Sequence, residues 1–150
     1  MGKPIFFIQR RVGYRCNSFN LIKFRTMKSK KYKKGKLLKD EQRLTSFGRF
    51  LRNSSIDELP EIINIIKGDL SFIGPRPLLE KYITLYDENQ IQRHNVKPGL
   101  SGWAQVNGRN SISWEKKFYL DNWYIKNQNW WQDILNGNYS RQRLGLLKNE

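Results

Sequence analysis

The amino-acid sequence predicts an α+β fold, with one compact domain that is mainly helical and contains a small β-sheet. Its 150 residues suit a single domain, and 38% hydrophobic and 13% aromatic residues are enough for a core. Apolar residues recur at helical spacing over longer stretches than those in which they alternate. The strongest predicted helices span about 57–67, 78–92 and 113–126.

The first predicted element is a strand over residues 19–26. Phe19, Leu21, Lys23 and Arg25 alternate with the residues between them, which is the period of a strand. Lys23 and Arg25 are therefore predicted to project from the same face.

Positive charge is concentrated in the first third of the chain. Residues 1–52 contain 16 Lys and Arg residues against Asp40 and Glu41, a formal charge of +14, while the whole chain carries +15. Much of this charge lies in Lys28–Lys39, predicted to be a mobile loop or a short helix entry because Gly35 interrupts it. Such a region attracts polyanions, and charge alone does not choose between nucleic acid, anionic lipid and a phosphorylated substrate.

The helix predicted at 57–67 carries one apolar stripe. Leu59, Ile62, Ile63 and Ile66 fall at i, i+3, i+4 and i+7. A glycine directly after the stripe, at position 68, is a typical helix end.

Two signals compete for the start of this helix. Ser55 with Glu58 matches a capping box, but Pro60 would then lie inside the helix, where its missing N–H is costly. A start near Asp57 puts Pro60 in the first turn, where the N–H has no helical partner, and this start is favoured. Either start places Asp57 and Glu58 at the positive end of the helix dipole.

The segment Gly74–Pro77 is predicted to be a stiff connector that aims Arg76. Each of its two prolines fixes its own φ and restricts the preceding residue. The predicted helix 78–92 follows.

Turn residues dominate the next segment. Lys97–Gly102 is rich in them, Trp103–Val106 is predicted to be a strand, and Asn107-Gly108 is a tight-turn signal that places Arg109 just beyond it.

The last predicted helix, 113–126, is aromatic. Trp114, Phe118 and Ile125 lie on one side. Tyr119, Trp123 and Tyr124 broaden this surface, which is either ordinary core or a face at a membrane interface.

Several classes of site and segment are excluded or disfavoured. Cys16 is the only cysteine, so an intramolecular disulfide is excluded. His94 is the only histidine and is interpreted as structural, because it lacks partners for a metal site or a triad. No apolar stretch approaches the roughly 18 residues of a spanning helix, and no signal peptide is visible. The chain is expected to be cytoplasmic and soluble, or held at a membrane surface.

The adjacent carboxylates Asp57 and Glu58 are the candidate catalytic pair. An isolated pair at this position would ordinarily only cap a helix. Here cations occur in turn-rich or rigid segments, and fixed cations beside a helix N-terminus are how proteins hold phosphates. These cations are Lys23, Arg25, Arg52, Arg76 and Arg109.

Six ordered motifs resemble one known family, the bacterial sugar transferases, which are monotopic polyprenyl-phosphate phosphoglycosyl transferases. The motifs are Gly2–Phe7 with Gln9–Gly13, Lys23–Met27, Asp57–Pro60, Lys67–Ser71, Gly74–Pro77 and Lys97–Arg109. The resemblance covers about residues 2–134, and residues 1–134 are predicted to be the catalytic domain. Residues 135–150 are predicted to be a divergent polar tail. Family members begin with an apolar re-entrant helix that is not recognised here, so a truncated copy is expected.

The resemblance implies a two-step reaction. Asp57 would attack the sugar-proximal phosphate of a UDP-sugar, release UMP and keep a phosphosugar, which a polyprenyl (undecaprenyl) phosphate then takes up. Glu58 would assist proton removal from the lipid acceptor, and Mg²⁺ would bridge Asp57 and the diphosphate. Carboxylate nucleophiles and metal with fixed cations are suited to such chemistry.

The resemblance also implies the binding residues and the setting. Lys23, Arg25, Arg52 and Arg76 would bind the donor, and Arg109 would contact its phosphate or base. The implied location is the cytoplasmic face of the bacterial inner membrane, with amphipathic helices at its anionic surface. There the reaction would initiate glycoprotein, capsule or O-antigen assembly.

Two rival functions remain at this point. A catalytically dead membrane-surface protein would follow from truncation. A basic nucleic-acid-binding module would explain the charge of residues 1–52, but no zinc pattern, RNP-type motif or heptad seam accompanies it, so no nucleic-acid partner is expected.

Overall fold

The computed structural model describes residues 3–28, 38–108, 111–129 and 133. It confirms the α+β prediction: short helices surround two small two-stranded sheets. The strands are β1 (Phe6–Val12), β2 (Ser18–Phe24), β3 (Ser71–Ile73) and β4 (Gly99–Ser101). The α-helices are α1 (Asp40–Arg43), α2 (Ser46–Asn53), α3 (Glu61–Ile66), α4 (Trp103–Val106) and α5 (Trp114–Asn127), and 3₁₀ turns span Tyr14–Cys16, Ile56–Glu58, Glu80–Leu85 and Gln90–Asn95.

β1 and β2 form an antiparallel hairpin in which Phe6 pairs with Phe24 and Val12 with Ser18. The predicted strand at 19–26 is confirmed as β2, which ends before Arg25. Its partner β1 was not predicted, because Phe6, Phe7 and the neighbouring apolar residues point to both faces and do not alternate with polar ones.

Asn64 joins this hairpin to α3. Its side chain is fully buried, donates to the carbonyl of Asn20 at 2.8 Å and accepts from the N–H of Ile22 at 3.1 Å. The α3 helix is thereby fixed against the outer edge of β2. The turn Ile56–Glu58, which carries Asp57 and Glu58 and is called the acidic turn below, comes just before α3 and lies beside Lys23.

The predicted helix 57–67 is shorter than expected. Asp57 and Glu58 lie in a separate 3₁₀ turn, and α3 begins at Glu61 with Pro60 at its N-cap position. The proline therefore marks the boundary of the α-helix and does not lie within its first turn. The capping-box alternative is also wrong, because Ser55 has a left-handed backbone (φ 55°) and its side chain makes no cap hydrogen bond.

The predicted helix 78–92 is wrong as a continuous element. The 3₁₀ turns Glu80–Leu85 and Gln90–Asn95 replace it. Between them the side chain of Asp87 accepts from the N–H groups of Asn89 and Gln90 at 2.9 and 2.8 Å, which holds the chain in a turn.

The predicted strand Trp103–Val106 is also wrong, because those four residues form α4 and the strand β4 precedes them. β3 and β4 are parallel, with Ser71 opposite Gly99. A Cβ at Gly99 would clash with the backbone of Gly74, so this close crossing requires glycine.

The predicted helix 113–126 is confirmed as α5, capped by Ser113, which accepts from the N–H of Lys116 at 3.2 Å. It buries Leu120, Asp121 and Tyr124, whereas Trp114 and Tyr119 are exposed. The stretches α1 and α2 were not predicted; Thr45 caps α2 by accepting from the N–H of Gly48 at 2.9 Å.

The predictions for most of Lys28–Lys39 (residues 29–37), for Arg109 and for the polar tail 135–150 lie outside the described residues. His94 is buried, and its Nδ1 lies 3.1 Å from the carbonyl oxygen of Gly13. This placement fits its structural interpretation.

Candidate active site

A polar cleft of about 850 Å³ lies between the hairpin, the acidic turn and the Gly74–Pro77 segment. It brings together the predicted site residues that fall in the described part of the chain. They are Lys23, Arg25, Arg52, Asp57, Glu58 and Arg76.

The acidic turn is presented to the cleft by an unusual backbone. Ser55 adopts a left-handed conformation, which is uncommon for a residue other than glycine and frequent at functional sites. The next three residues form the 3₁₀ turn, so Asp57 and Glu58 project from a tight bend and reach different neighbours.

Glu58 is held by two cations. Its Oε1 accepts from Lys23 Nζ at 2.8 Å and from Arg76 Nη2 at 2.8 Å. Burial alone raises the pKa of the Glu58 carboxyl, but Arg76 and Lys23 together outweigh it and lower the pKa to about 2. Glu58 is therefore firmly ionised and holds both cations at the cleft.

Asp57 is in the opposite situation. Its carboxylate accepts a hydrogen bond from its own backbone N–H, and no other described side chain forms a hydrogen bond or ion pair with it. Burial and the neighbouring charge of Glu58 raise the pKa of Asp57, while Lys23 and Arg52 oppose the rise. Its oxygens are available to an incoming group with cations nearby, which suits a nucleophile.

Glu61 is a third carboxylate at this site, and sequence analysis missed it. Its Oε1 lies 2.9 Å from Lys23 Nζ, with geometry outside that of a hydrogen bond, so the contact is an ion pair. Burial raises the pKa of Glu61 and Lys23 opposes the rise. The spacing of Glu58 and Glu61 (i, i+3) is the signal in the sequence that would place both carboxylates on one side of a helix.

The other cations are fixed by different elements. Arg52 of α2 donates from Nε to Thr26 Oγ1 at 3.0 Å. Arg25 lies just after β2 and donates from Nε to the carbonyl of Pro4 at 2.8 Å. Arg52 is thereby kept close enough to Asp57 to oppose the rise in its pKa, whereas Arg25 is tied to the cleft rim.

A metal site built by the protein alone is not found among the described residues, where no three His, Cys, Asp or Glu side chains form a suitable group. Glu58 and Glu61 are committed to Lys23. Asp57 offers one carboxylate, which fits a Mg²⁺ ion that takes most of its ligands from substrate phosphates and water.

Comparison with known proteins places these features in a family. Residues 1–136 match the family model described as bacterial sugar transferase. The chain is 57% identical over 134 residues to the sugar transferase EpsL of Bacillus subtilis, covering 89% of this chain and 66% of that protein.

Two further relatives carry more specific names. The UDP-glucose:undecaprenyl-phosphate glucose-1-phosphate transferase of Xanthomonas campestris is 41% identical over 142 residues, which are 87% of this chain and 29% of that protein. The exopolysaccharide production protein ExoY of Rhizobium meliloti is 33% identical over 151 residues, with coverages of 89% and 67%. The chain thus spans between about a third and two thirds of these relatives.

Proposed function

The chain belongs to the bacterial sugar transferase family, and we propose that it transfers a sugar-1-phosphate from a UDP-sugar to a polyprenyl phosphate through a covalent phosphosugar on Asp57. The observation that carries this proposal is the unequal environment of the two adjacent carboxylates. Glu58 is occupied by Lys23 and Arg76, whereas Asp57 faces the same cleft without such partners.

In the first half-reaction a carboxylate oxygen of Asp57 attacks the sugar-proximal phosphorus. The bond between this phosphorus and the bridging oxygen breaks, and the electron pair leaves with UMP. Lys23, Arg52 and Arg76 lie where they can neutralise the charge on the transferring and leaving phosphates.

In the second half-reaction a phosphate oxygen of the lipid acceptor attacks the same phosphorus. The acyl phosphate bond breaks, Asp57 regains its carboxylate, and the product is a polyprenyl diphosphate sugar. Glu58 serves as proton acceptor only while the phosphates of the phosphosugar and the lipid acceptor draw Lys23 and Arg76 away from it, because its paired form is a very weak base.

Mg²⁺ is the proposed cofactor, and Asp57 is the residue that would hold it together with phosphate oxygens of the donor. When bound, it would withdraw charge from the transferring phosphoryl group. The protein's own part is to keep Asp57 uncommitted and the cations in place.

The proposed location is the anionic cytoplasmic surface of a bacterial membrane. Phe47 and Phe50 of α2 are both more than half exposed and flank Arg49, a combination that suits a helix lying at a lipid interface. Within the described ranges, the helices are too short or too polar to cross a bilayer. The glycan that the product would initiate is proposed to be an exported polysaccharide, as the name of the Rhizobium relative suggests.

In the deciding experiment, the full chain is placed in nanodiscs that contain polyprenyl phosphate and is incubated with Mg²⁺ and each of a panel of UDP-sugars. UMP release and a polyprenyl diphosphate sugar, detected by mass spectrometry, are expected for at least one donor and not for Asp57→Asn. UMP and lipid product absent with every donor would contradict the proposal and favour a catalytically dead protein.

A further inference from the structure

A buried ion pair, Arg93 with Asp121, forms part of the cleft wall and reaches the backbone of Arg76. Arg93 Nη2 lies 2.9 Å from Asp121 Oδ2, and each of these two side chains is 4% exposed. The same Nη2 donates to the carbonyl oxygen of Arg76 at 2.7 Å. The Arg93 guanidinium also lies over the ring of Phe118, 5.4 Å from its centroid. One planar group is therefore fixed from several sides and holds one backbone carbonyl.

The neighbouring carbonyls of the same segment are fixed as well. Pro75 O accepts from the N–H of Gly99 at 3.0 Å, and Leu78 O accepts from the N–H of Val12 at 3.0 Å. Pro77 O accepts from Arg11 Nη1 at 3.1 Å. With Arg76, four consecutive carbonyls are held by β4, β1 and the turn that carries Arg93, so the segment has little freedom to shift.

Stability alone does not explain why the ion pair is present. Desolvation of the two ions opposes the attraction within a buried pair, and replacing such a pair with apolar residues is often neutral or favourable. What an apolar pair cannot supply is a donor for the carbonyl of Arg76. The geometry therefore matters more here than the attraction between the two charges.

We propose that Arg93 and Asp121 are a positioning pair for Arg76. They hold its backbone so that its guanidinium meets Glu58 in the free protein and the diphosphate of a UDP-sugar in the complex. The second half of this statement rests on the proposed function. The first half concerns the free protein alone.

A double-mutant cycle with UDP as the probe tests the proposal. Asp121→Asn should weaken UDP binding by about tenfold in the otherwise unchanged chain, but by less than about twofold when Arg76 is already alanine, because coupled residues are not additive. Arg93→Lys keeps the charge but loses the planar fork, so it should behave in the same way. If the fold-changes in Kd for Asp121→Asn and Arg76→Ala simply multiply in the double variant, the two residues act independently, and the proposal is overturned.

Tyr124→Phe is the matched control. Tyr124 lies on the same helix, three residues after Asp121, and its hydroxyl donates to Asp133 at 2.6 Å without reaching the Arg76 segment. It should lower Tm while UDP affinity stays within about twofold. If Tyr124→Phe and Asp121→Asn lower Tm equally and also weaken UDP binding equally, the pair has only a general structural role, and the proposal is overturned.

A second readout does not depend on the ligand. The Nε–H resonance of Arg76 in the free protein, assigned by its loss in Arg76→Lys, should move towards the value of a free arginine in Asp121→Asn and Arg93→Lys but not in Tyr124→Phe. An unchanged resonance in both variants contradicts the positioning role. If the unchanged chain fails to bind UDP, the proposed function fails, and this resonance still decides the inference.

Discussion

The two sides of the acidic turn differ more than their sequence suggests. On one side, Glu58 is bound to Lys23 and Arg76 and has a pKa of about 2; on the other, Asp57 is uncommitted among the described residues and its pKa is raised. The difference arises because the tight bend after Ser55 points the two side chains to different neighbours. Adjacent residues of like chemistry thus receive different roles from the elements that surround them.

The largest expected effect separates the two carboxylates by activity. Asp57→Asn should lower the rate of UMP release by at least about 10³-fold, because an amide is a poor nucleophile at phosphorus. Glu58→Gln should lower the rate of lipid-product formation by about 10- to 100-fold, because its part as proton acceptor belongs to the second half-reaction and water partly replaces it. With UDP-sugar, Mg²⁺ and no acceptor, intact-mass measurement should find a phosphosugar adduct on Glu58→Gln and none on Asp57→Asn. An adduct on Asp57→Asn would remove the distinction between the two residues.

A smaller effect, on UDP binding, is expected when Glu58 loses its partner Arg76. Arg76→Ala should raise the Kd for UDP by about 10- to 100-fold, as expected for one or two lost charge-assisted hydrogen bonds of about 1.5 to 3 kcal/mol. Arg10→Ala is the control: Arg10 is mostly exposed and pairs with Glu80 at 3.0 Å. If both variants weaken UDP binding equally, the effect comes from overall charge and not from the site.

At pH 7, Glu58→Gln and Asp57→Asn should change the thermal stability of the protein in opposite directions. The lowered pKa of Glu58 contributes stability above about pH 4.5 that is lost as the pH falls towards 2, at most about 3 kcal/mol. Glu58→Gln should therefore lower Tm at pH 7 and flatten the loss of stability below pH 4.5. The raised pKa of Asp57 costs stability once that group ionises, so Asp57→Asn should raise Tm at pH 7 and change it little at pH 3. Unfolding curves at the two pH values check both signs; a lower Tm for Asp57→Asn at pH 7 would count against its being an uncommitted carboxylate.

The smallest effect concerns competition for the cations. Because Glu58 occupies Lys23 and Arg76 in the free protein, UDP must displace it, and Glu58→Gln should bind UDP about two- to fivefold more tightly, or about 0.5 to 1 kcal/mol. Glu80→Gln, which alters an exposed pair with Arg10, should leave the Kd unchanged. Calorimetric titration measures both; weaker UDP binding by Glu58→Gln would mean that Glu58 does not compete with the diphosphate.

Sequence patterns predicted the elements that are long or strongly alternating. The helix α5 has fourteen residues and a serine cap, and β2 alternates clearly, so local signals were sufficient. Short elements such as α4 were assigned wrongly because four residues are too few to distinguish periods of 2.0 and 3.6. The sequence predicted Pro60 within the first helical turn, whereas the structure has the α-helix begin after it.

The sequence grouped the residues of the cleft more accurately than it predicted the secondary-structure elements. The sequence grouped Lys23, Arg52, Asp57 and Arg76, and the structure places them around one cleft, whereas no role was predicted for Glu61. The interactions of Glu61 and of the Arg93–Asp121 pair join segments that are 28 to 38 residues apart in the chain. Such pairings depend on which segments pack together, and a single sequence does not state that.

The buried side chain of Asn64 has one more consequence. A hairpin such as β1–β2 exposes an outer row of backbone donors and acceptors, and such a row can recruit a strand from another molecule. Asn64 occupies the carbonyl of Asn20 and the N–H of Ile22 in that row, with a side chain in place of a third strand. The same amide that joins α3 to the hairpin thus also occupies two of the backbone groups through which another strand would pair. We therefore expect Asn64→Leu to increase self-association, measured by size-exclusion chromatography against the unchanged chain.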